Sequence, residues 1–193
     1  MDENLVKIRH ARSEKDFPFL KLDNDEYVEF AFKRAKVCYM LIVGVVAGGL
    51  ALILFAFLIG ILGQTSIDAM GRNFMYVILL ILVLMGLVCA AVAVAVFRGN
   101  KLFITNKRVV QLVMKSPVAK SVNIIDLPSV EDASYQQNGI LQTMFHYGTF
   151  RLSTVGDETT YTFPYSDISS ADLRAVSKLI TTAKEKVGKK KEG

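Results

Sequence analysis

Two long stretches of the chain contain no charged residue and no histidine, and they constrain the fold more than any other feature. They comprise residues 37–67 and 73–97. An α-helix needs about 20 consecutive apolar residues to cross the hydrocarbon core of a bilayer, and the apolar segments 37–62 and 74–97 both exceed that length. We therefore expect two membrane-spanning helices with a short loop between them.

Basic residues flank the outer ends of the two apolar stretches. The nearest of them are Lys33, Arg34, Lys36, Arg98 and Lys101. The connecting loop carries one basic residue, Arg72, which Asp68 offsets. Because cytoplasmic flanks of membrane spans are enriched in Lys and Arg, the pattern predicts a helical hairpin in the cell (cytoplasmic) membrane, multi-pass, with both termini cytoplasmic.

The formal net charge of +5 arises after the second stretch, since residues 98–193 hold fourteen basic and nine acidic residues. Much of this excess lies beside the predicted membrane or in the terminal sequence KEKVGKKKEG. Such a distribution is typical of a membrane-flanking region and a solvated tail, with contact to anionic lipid headgroups as a further interaction. It does not indicate a nucleic-acid partner.

The pattern changes after Arg98 to short runs that alternate apolar and polar residues between turn signals. These runs cover residues 101–105, 108–115, 120–126, 129–137, 149–154 and 159–165, with a turn at residues 155–158. Six or seven strands at this spacing are typical of a small antiparallel sandwich or barrel. Ser169 and Asp172 form a capping box, and an apolar stripe then predicts one helix over residues 171–186: Leu173, Val176, Ile180, Ala183 and Val187.

Two motifs in this half of the chain resemble those of a known family. The sequence LFITNKRVVQ, residues 102–111, resembles the first block of the bacterial pleckstrin-homology-like domains of small membrane proteins, also called membrane-flanked domains. Residues 123–154 are similar to the second block of that family, and residues 20–36 to the segment before its first membrane helix. The chain departs from the family pattern at ILQTMFH, residues 140–146, which lacks an arginine, and it contains no tryptophan.

The resemblance implies a pleckstrin-homology-like (PH-like) fold, a bent antiparallel sheet capped by a C-terminal helix. The predicted class is α+β, a two-helix transmembrane hairpin followed by a PH-like β-sandwich or barrel with one C-terminal helix. The predicted parts are a cytoplasmic arm (1–36), the hairpin (37–97), a cytoplasmic PH-like domain (98–187) and a basic tail (188–193). Residues 28–33 alternate with a period of two, so they are either a strand or an early start of the first helix.

Two turns carry the candidate contact residues for a lipid headgroup or a partner. Asn106, Lys107 and Arg108 occupy the first turn, and Lys115 and Lys120 flank the next one. The five side chains would form one basic rim if this end of the sandwich faced an anionic membrane. The alternative is a pair of ordinary turns with solvated lysine and arginine side chains.

His146 lies in the segment Phe145, His146, Tyr147, Gly148, and the only other histidine is His10. A catalytic site could in principle draw on His146 with Ser153 or Ser134 and Asp132, but no catalytic motif supports it. We interpret the segment as a structural loop. Tyr147 and Phe145 would anchor it to the core or to the membrane surface, with a ligand-facing aromatic side chain as the alternative. Gly148 supplies either a positive φ angle or close strand approach.

Small residues recur in both apolar stretches at four-residue spacing, which favours close helix packing in lipid. They are Gly44 and Gly48 in the first and Gly86 and Ala90 in the second. Packing within the hairpin and a dimerisation face are both compatible with this spacing. Cys38 and Cys89 fit neither a disulfide framework nor a zinc site, and we expect no metal and no cofactor.

We expect an integral membrane protein that displays its PH-like domain as a binding or assembly module at the inner leaflet, and not an enzyme. Its expected partners are the bilayer with its anionic headgroups and a membrane protein or further copies of the chain. Two alternatives are a small membrane enzyme acting on a lipid-like substrate and an oligomeric membrane scaffold.

Overall fold

The computed structural model describes residues 3–63, 69–154 and 160–191, and the predicted turn at residues 155–158 lies outside them. The helices and strands follow in the order α1 (Glu3–Asp16), β1 (Val28–Lys33), α2 (Lys36–Gly63), α3 (Ala69–Gly99), β2 (Lys101–Thr105), β3 (Arg108–Met114), β4 (Lys120–Asp126), β5 (Val130–Gln136), α4 (Ile140–Met144), β6 (Gly148–Thr154), β7 (Thr160–Ser166) and α5 (Ser170–Lys191). Short 3-10 turns lie at Pro18–Leu20 and Leu127–Ser129.

The strands form two antiparallel sheets with the orders β1-β2-β3-β4 and β5-β6-β7. The sheets meet at an isolated bridge between Arg34 and Ser166, where the Ala35 N–H donates to the Tyr165 carbonyl oxygen at 2.6 Å. Two long apolar helices, two antiparallel sheets and a C-terminal helix confirm the predicted α+β class.

The core lies between the inner faces of the two sheets and under α5. Its fully buried residues include Ile104, Val109, Phe150, Leu152 and Val176. The capping box at the start of α5 is formed as predicted, since the Asp172 N–H donates to Ser169 Oγ at 3.1 Å and the Ser169 N–H donates to the Asp172 carboxylate at 3.2 Å. The helix is longer than predicted and includes residues 188–191 of the predicted tail.

The hairpin of α2 and α3 is inserted between β1 and β2, which are neighbours in one sheet. Residues 28–33 pair with residues 101–105, so the strand interpretation of this segment is the one that the structure shows. The folded domain therefore begins before the hairpin and takes its first strand from the segment predicted to be an arm. The joints are short, because only two residues separate β1 from α2 and one separates α3 from β2.

That single joint residue, Asn100, is buried and links α3 to the sheet. Its Nδ2 donates to the Val96 carbonyl at 2.7 Å and to the Met114 carbonyl at 3.2 Å, and the Met114 N–H donates to its Oδ1 at 3.1 Å. Because these bonds tie the last turn of α3 to the end of β3, one side chain holds the helix at a set angle to the sheet.

Both hairpin helices are long and apolar enough to cross a membrane, over Lys36–Gly60 and Asn73–Gly99. Large apolar side chains remain exposed along them, among them Leu52, Phe55 and Val88. Only one face of each helix contacts the other. Of the predicted loop between them, residues 63–73, the structure places residues 69–73 in α3, and residues 64–68 lie outside the part of the chain that it describes.

Residues 3–27 fold against the outer face of the first sheet, which the sequence patterns do not predict. The rings of Phe17 and Phe19 lie 5.1 and 5.5 Å from the ring of Phe103. In α1, His10 Nδ1 donates to the Glu26 carbonyl oxygen at 2.6 Å, and buried Ser13 accepts the Val28 N–H at 3.0 Å. His10 therefore belongs to a packed helix and not to a solvated tail.

The antiparallel order gives the domain two ends with different connections. At the end that we call the hairpin end, β1 and β2 continue into the helices, Lys101 pairs with Leu112, and Gly148 pairs with Ser166. The β3–β4 and β5–β6 connections therefore lie at the hairpin end. The β2–β3 and β4–β5 connections lie at the opposite end, which we call the far end.

Candidate functional site

Five cationic side chains surround one pocket at the hairpin end, which we call the junction pocket. Its volume is about 320 Å³, and it is lined by Lys33, Arg34, Lys36, Tyr39, Phe97, Arg98 and Lys101. The end of β1 and the start of α2 supply the first four of these residues, and the end of α3 and the start of β2 supply the others. The short joints of the inserted hairpin place all of them at one level.

Arg34 forms the inner wall of the junction pocket. Its guanidinium carbon lies 4.9 Å from the ring centroid of Phe97 and 5.7 Å from that of Tyr165. Its Nε is buried without a hydrogen bond partner among the described residues. Burial lowers the pKa of the Arg34 side chain, but arginine stays cationic at neutral pH because its ordinary pKa is so high. The aromatic faces compensate part of the lost hydration.

The junction pocket has a net positive charge that its own lining does not balance. No acidic side chain lines it, and the ion pairs of the described residues all lie elsewhere. A group of like charges in a partly enclosed space attracts an anion, and Arg and Lys suit phosphate or carboxylate oxygens. The pocket can therefore accept an anionic group of modest size.

The sequence indicates these cations as markers of membrane orientation and as general contacts to anionic headgroups, but not as members of one pocket. Lys33, Arg34 and Lys36 are separated from Arg98 and Lys101 by the whole hairpin, so their spacing does not predict a shared pocket. The signal that could have found them is the combination of short joints with a pairing of β1 and β2. That pairing is visible only once residues 28–33 are assigned as a strand.

An apolar groove lies beside the junction pocket on the outer face of the first sheet. It has a volume of about 530 Å³ and is lined mainly by Phe19, Leu112, Met114 and Val122, with Arg98, Lys101 and Lys120 among the residues at its edge. Lys120, a predicted contact residue, is thus at the hairpin end, and Lys115 lies on the same β3–β4 turn.

Asn106, Lys107 and Arg108 lie at the far end and hold the chain between α1 and β1. Asn106 Nδ2 donates to the Asp25 carbonyl at 2.9 Å, and Lys107 Nζ donates to the Asn24 carbonyl at 2.7 Å. The full length of β3 separates them from Lys115. The five predicted contact residues therefore do not form one basic rim, because the antiparallel order puts successive turns at opposite ends.

Arg108 makes a buried ion pair with Glu26, whose side chain is fully buried. Arg108 Nε donates to Glu26 Oε1 at 2.9 Å, Arg108 Nη2 donates to Glu26 Oε2 at 3.0 Å, and Thr105 Oγ1 donates to Glu26 Oε1 at 2.8 Å. Burial raises the pKa of Glu26, but hydrogen bonds from the Asp23 N–H, Arg108 and Thr105, with the charge of Arg108, hold it below its ordinary value. We therefore interpret the ion pair of Arg108 and Glu26 as a structural contact within the fold.

The loop around His146 connects β5 to β6 at the hairpin end. His146 is exposed and has a left-handed φ angle of 55°. Tyr147 is buried with Ala35, Cys38 and Phe97. A Cβ at Gly148 would collide with the Gln136 carbonyl oxygen, so close strand approach, and not a positive φ angle, explains this glycine.

Of the residues weighed for catalysis from the sequence, Ser153 and Asp132 lie away from His146. Asp132 pairs with Ser153 in the β5–β6 register, and Ser134 pairs with Arg151. His146 precedes Gly148, the first residue of β6. Along the strand, Ser153 lies about 17 Å beyond Gly148, at roughly 3.3 Å per residue.

Only one of the small-residue pairs lies where the two helices touch. A Cβ at Gly86 would be 2.9 Å from Leu50 Cδ2, whereas Gly44 and Gly48 have no neighbour within 4 Å. Ala90, one turn after Gly86, is partly buried on the same face. Packing within the hairpin thus accounts for Gly86, while a dimerisation face at Gly44 and Gly48 stays a prediction.

The chain matches a known protein family over most of its length. Residues 30–182 match the family described as bacterial PH domain. A crystal structure of a DUF1696 family protein with a pleckstrin-homology domain from Shewanella loihica PV-4 is similar to 44% of this chain and 70% of that chain, with 13% sequence identity and a TM-score of 0.30. Among proteins with curated functions, none matches this chain. Since the family match runs from β1 through the hairpin into α5, the chain belongs to the bacterial PH domain family.

Proposed function

We propose that this chain is a two-span protein of the cell membrane, with both termini in the cytoplasm, whose PH domain is a binding and assembly module at the inner leaflet and not an enzyme. The observation that carries the proposal is the insertion of the apolar hairpin between two paired strands. Because the joints contain no flexible linker, membrane-spanning helices would hold the domain directly at the lipid surface.

The charges around the joints support the same arrangement. The junction pocket would lie at the level of the lipid headgroups, and each Lys or Arg near an anionic surface contributes about 1 kcal/mol. We propose that the pocket binds the phosphate of an anionic lipid. A domain held in this way meets membrane partners at high effective concentration, so weak contacts suffice for binding.

Two measurements test the proposal on the full chain. We expect the protein to stay in the membrane fraction after alkaline carbonate washing and to be released by detergent. In a background of Cys38→Ala and Cys89→Ala, we expect a membrane-impermeant maleimide to label a Ser66→Cys variant in intact cells and a Lys186→Cys variant only after permeabilisation. Release by carbonate, or labelling of Lys186→Cys in intact cells, would contradict the proposal.

A further inference from the structure

The connection between β5 and β6 is an apolar loop without a single charged side chain. No Asp, Glu, Lys or Arg occurs from Ala133 to Phe150. The loop contains the short helix α4, and four large apolar side chains on and beside it are exposed: Ile140 (85%), Leu141 (53%), Met144 (57%) and Phe145 (38%). Large apolar side chains exposed together on one short segment indicate an interaction site.

The loop lies next to the base of the hairpin. It ends at Tyr147, which is buried with Ala35 in the joint before α2, Cys38 at the start of α2 and Phe97 near the end of α3. The following residue, Gly148, pairs with Ser166, which bridges to Arg34. The exposed apolar residues therefore project from the same end of the domain from which the two helices leave it.

Internal hydrogen bonds give the loop a defined shape. The Asn138 N–H donates to Gln142 Oε1 at 2.6 Å, and the Tyr147 N–H donates to the Gln142 carbonyl at 3.1 Å. Gly139 and His146 have positive φ angles of 106° and 55°, which turn the chain into and out of α4. The apolar side chains are thus displayed by a folded loop and do not reach the core.

We propose that α4 inserts Ile140, Leu141, Met144 and Phe145 into the interfacial layer of the bilayer that the hairpin spans, as a third membrane contact of the domain. The inference rests on the proposed membrane insertion of α2 and α3. Amphipathic helical segments bury their apolar face about 5–10 Å into the boundary between headgroups and acyl chains. Two helices and an inserted loop would fix the orientation of the domain on the membrane.

The surroundings of the loop favour a bilayer over a protein as its occupant. The β3–β4 turn at the same end exposes Val118 almost completely (96%) between Lys115 and Lys120. An exposed apolar side chain flanked by lysines suits the boundary at which acyl chains meet anionic headgroups. The described turns at the far end are polar at Asn106 and Lys107, and Leu127 there is buried.

The absence of tryptophan from the sequence makes a direct test possible. Four full-length single-tryptophan variants are reconstituted in nanodiscs with ordinary lipids and with lipids brominated in the upper part of the acyl chain. Ile140→Trp and Met144→Trp report on the loop, and Phe55→Trp reports on the second half of α2. Thr181→Trp, exposed on α5, is the solvent control. Unchanged thermal unfolding midpoints establish that the variants fold.

We expect blue-shifted emission and loss of emission in brominated lipid for the two loop variants and for Phe55→Trp, but not for Thr181→Trp. Quenching of Phe55→Trp alone would overturn the loop insertion and leave the proposed function intact. Blue-shifted loop emission without quenching would also overturn it, because a protein surface would then cover the loop. If Phe55→Trp itself is not quenched, the proposed membrane insertion fails and the inference fails with it.

Discussion

Glu26 and Arg34 are charged side chains that lie inside the domain, and their partners give them different roles. Glu26 receives four hydrogen bonds from the Asp23 N–H, Thr105 and Arg108, so its charge is compensated within the fold. Arg34 has aromatic neighbours and other cations around it, and in the described part of the chain no acidic side chain lines its pocket. Removing the partner of a compensated buried charge destabilises a fold, whereas an uncompensated positive charge is suited to binding an anion.

We expect Glu26→Gln to lower the free energy of unfolding by about 3 kcal/mol at neutral pH, since it leaves Arg108 without its charged partner. The pKa of Glu26 lies below its ordinary value of 4.5 in the folded protein. Its stabilising contribution is therefore complete above pH 4.5 and is lost as the pH falls through the folded-state pKa. Chemical unfolding of the detergent-solubilised protein between pH 3 and 7 (roughly the range in which carboxylates titrate) measures both effects.

The control for Glu26 is Glu14→Gln, which removes one negative charge from an exposed position of α1. It should leave the unfolding free energy nearly unchanged. A variant at Glu26 that is as stable as this control, or whose stability difference from the native chain does not shrink in acid, would contradict the assignment of a structural ion pair.

At the junction pocket, we expect Lys33→Gln with Lys101→Gln to reduce the preference of the protein for anionic over zwitterionic lipid. At about 1 kcal/mol for each lysine, the pair corresponds to roughly a 30-fold loss. Fluorescence transfer from the labelled protein to a labelled anionic lipid in nanodiscs measures this preference. Lys178→Gln with Lys186→Gln on α5 is the matched control, and an equal loss in both double variants would point to net charge instead of the pocket.

At the scale of single elements, the hairpin shows which glycines pack the helices of one chain together. Gly86 lies against Leu50, while Gly48 faces open space. In a membrane, helices associate largely through close packing, so these two positions should respond differently to added volume. The difference separates packing within the hairpin from association between chains.

We expect Gly86→Leu to lower the thermal unfolding midpoint of the protein in detergent, because overpacking the helix contact costs about 1–3 kcal/mol of unfolding free energy. Gly48→Leu should leave the thermal unfolding of the monomer unchanged. Chemical crosslinking of the native chain, of Gly44→Leu and of Gly48→Leu in membranes then tests the predicted dimerisation face. Equal destabilisation by the leucines at positions 48 and 86 would contradict the observed packing.

Much of the element order could be predicted from the sequence, because each element carries a local signal. Apolar length indicates α2 and α3, alternation indicates the strands, and the capping box at Ser169 indicates α5. The missing parts depend on contacts between distant segments. The helix α1 has no strong apolar face, and hydrogen bonds of His10 and Ser13 hold it against the segment 26–28. The alternation over residues 28–33 allows a strand or an early helix start, and only the pairing with β2 decides between them.

The candidate site was less predictable for the same reason. Lysine and arginine in turns have the same local pattern whether they bind a ligand or the protein itself. The side chains of Lys107 and Arg108 bind backbone and carboxylate groups of residues 21–26, more than 80 positions earlier in the chain. The residues that line the junction pocket come from both sides of the inserted hairpin, so their spacing in the sequence does not predict that they lie together.

At the scale of the whole molecule, the joints decide how the domain and the helices move together. One joint is held by the Ala35–Tyr165 backbone hydrogen bond and the bridge from Arg34 to Ser166. The other is held by the side chain of Asn100. If both are rigid, the orientation of the helices in the bilayer sets the orientation of the pocket and of the α4 loop.

We expect Asn100→Ala to loosen this coupling without unfolding the domain, because it leaves the Met114 N–H without its acceptor, at a cost of about 1–3 kcal/mol. Combined with Ile140→Trp, it should weaken the quenching of the loop tryptophan by brominated lipid, while Phe55→Trp remains quenched. Asn123→Ala, which removes only a 3.5 Å contact with Gln111, is the matched control. Undiminished loop quenching in the Asn100 variant would mean that the loop holds the domain on the membrane without help from this joint.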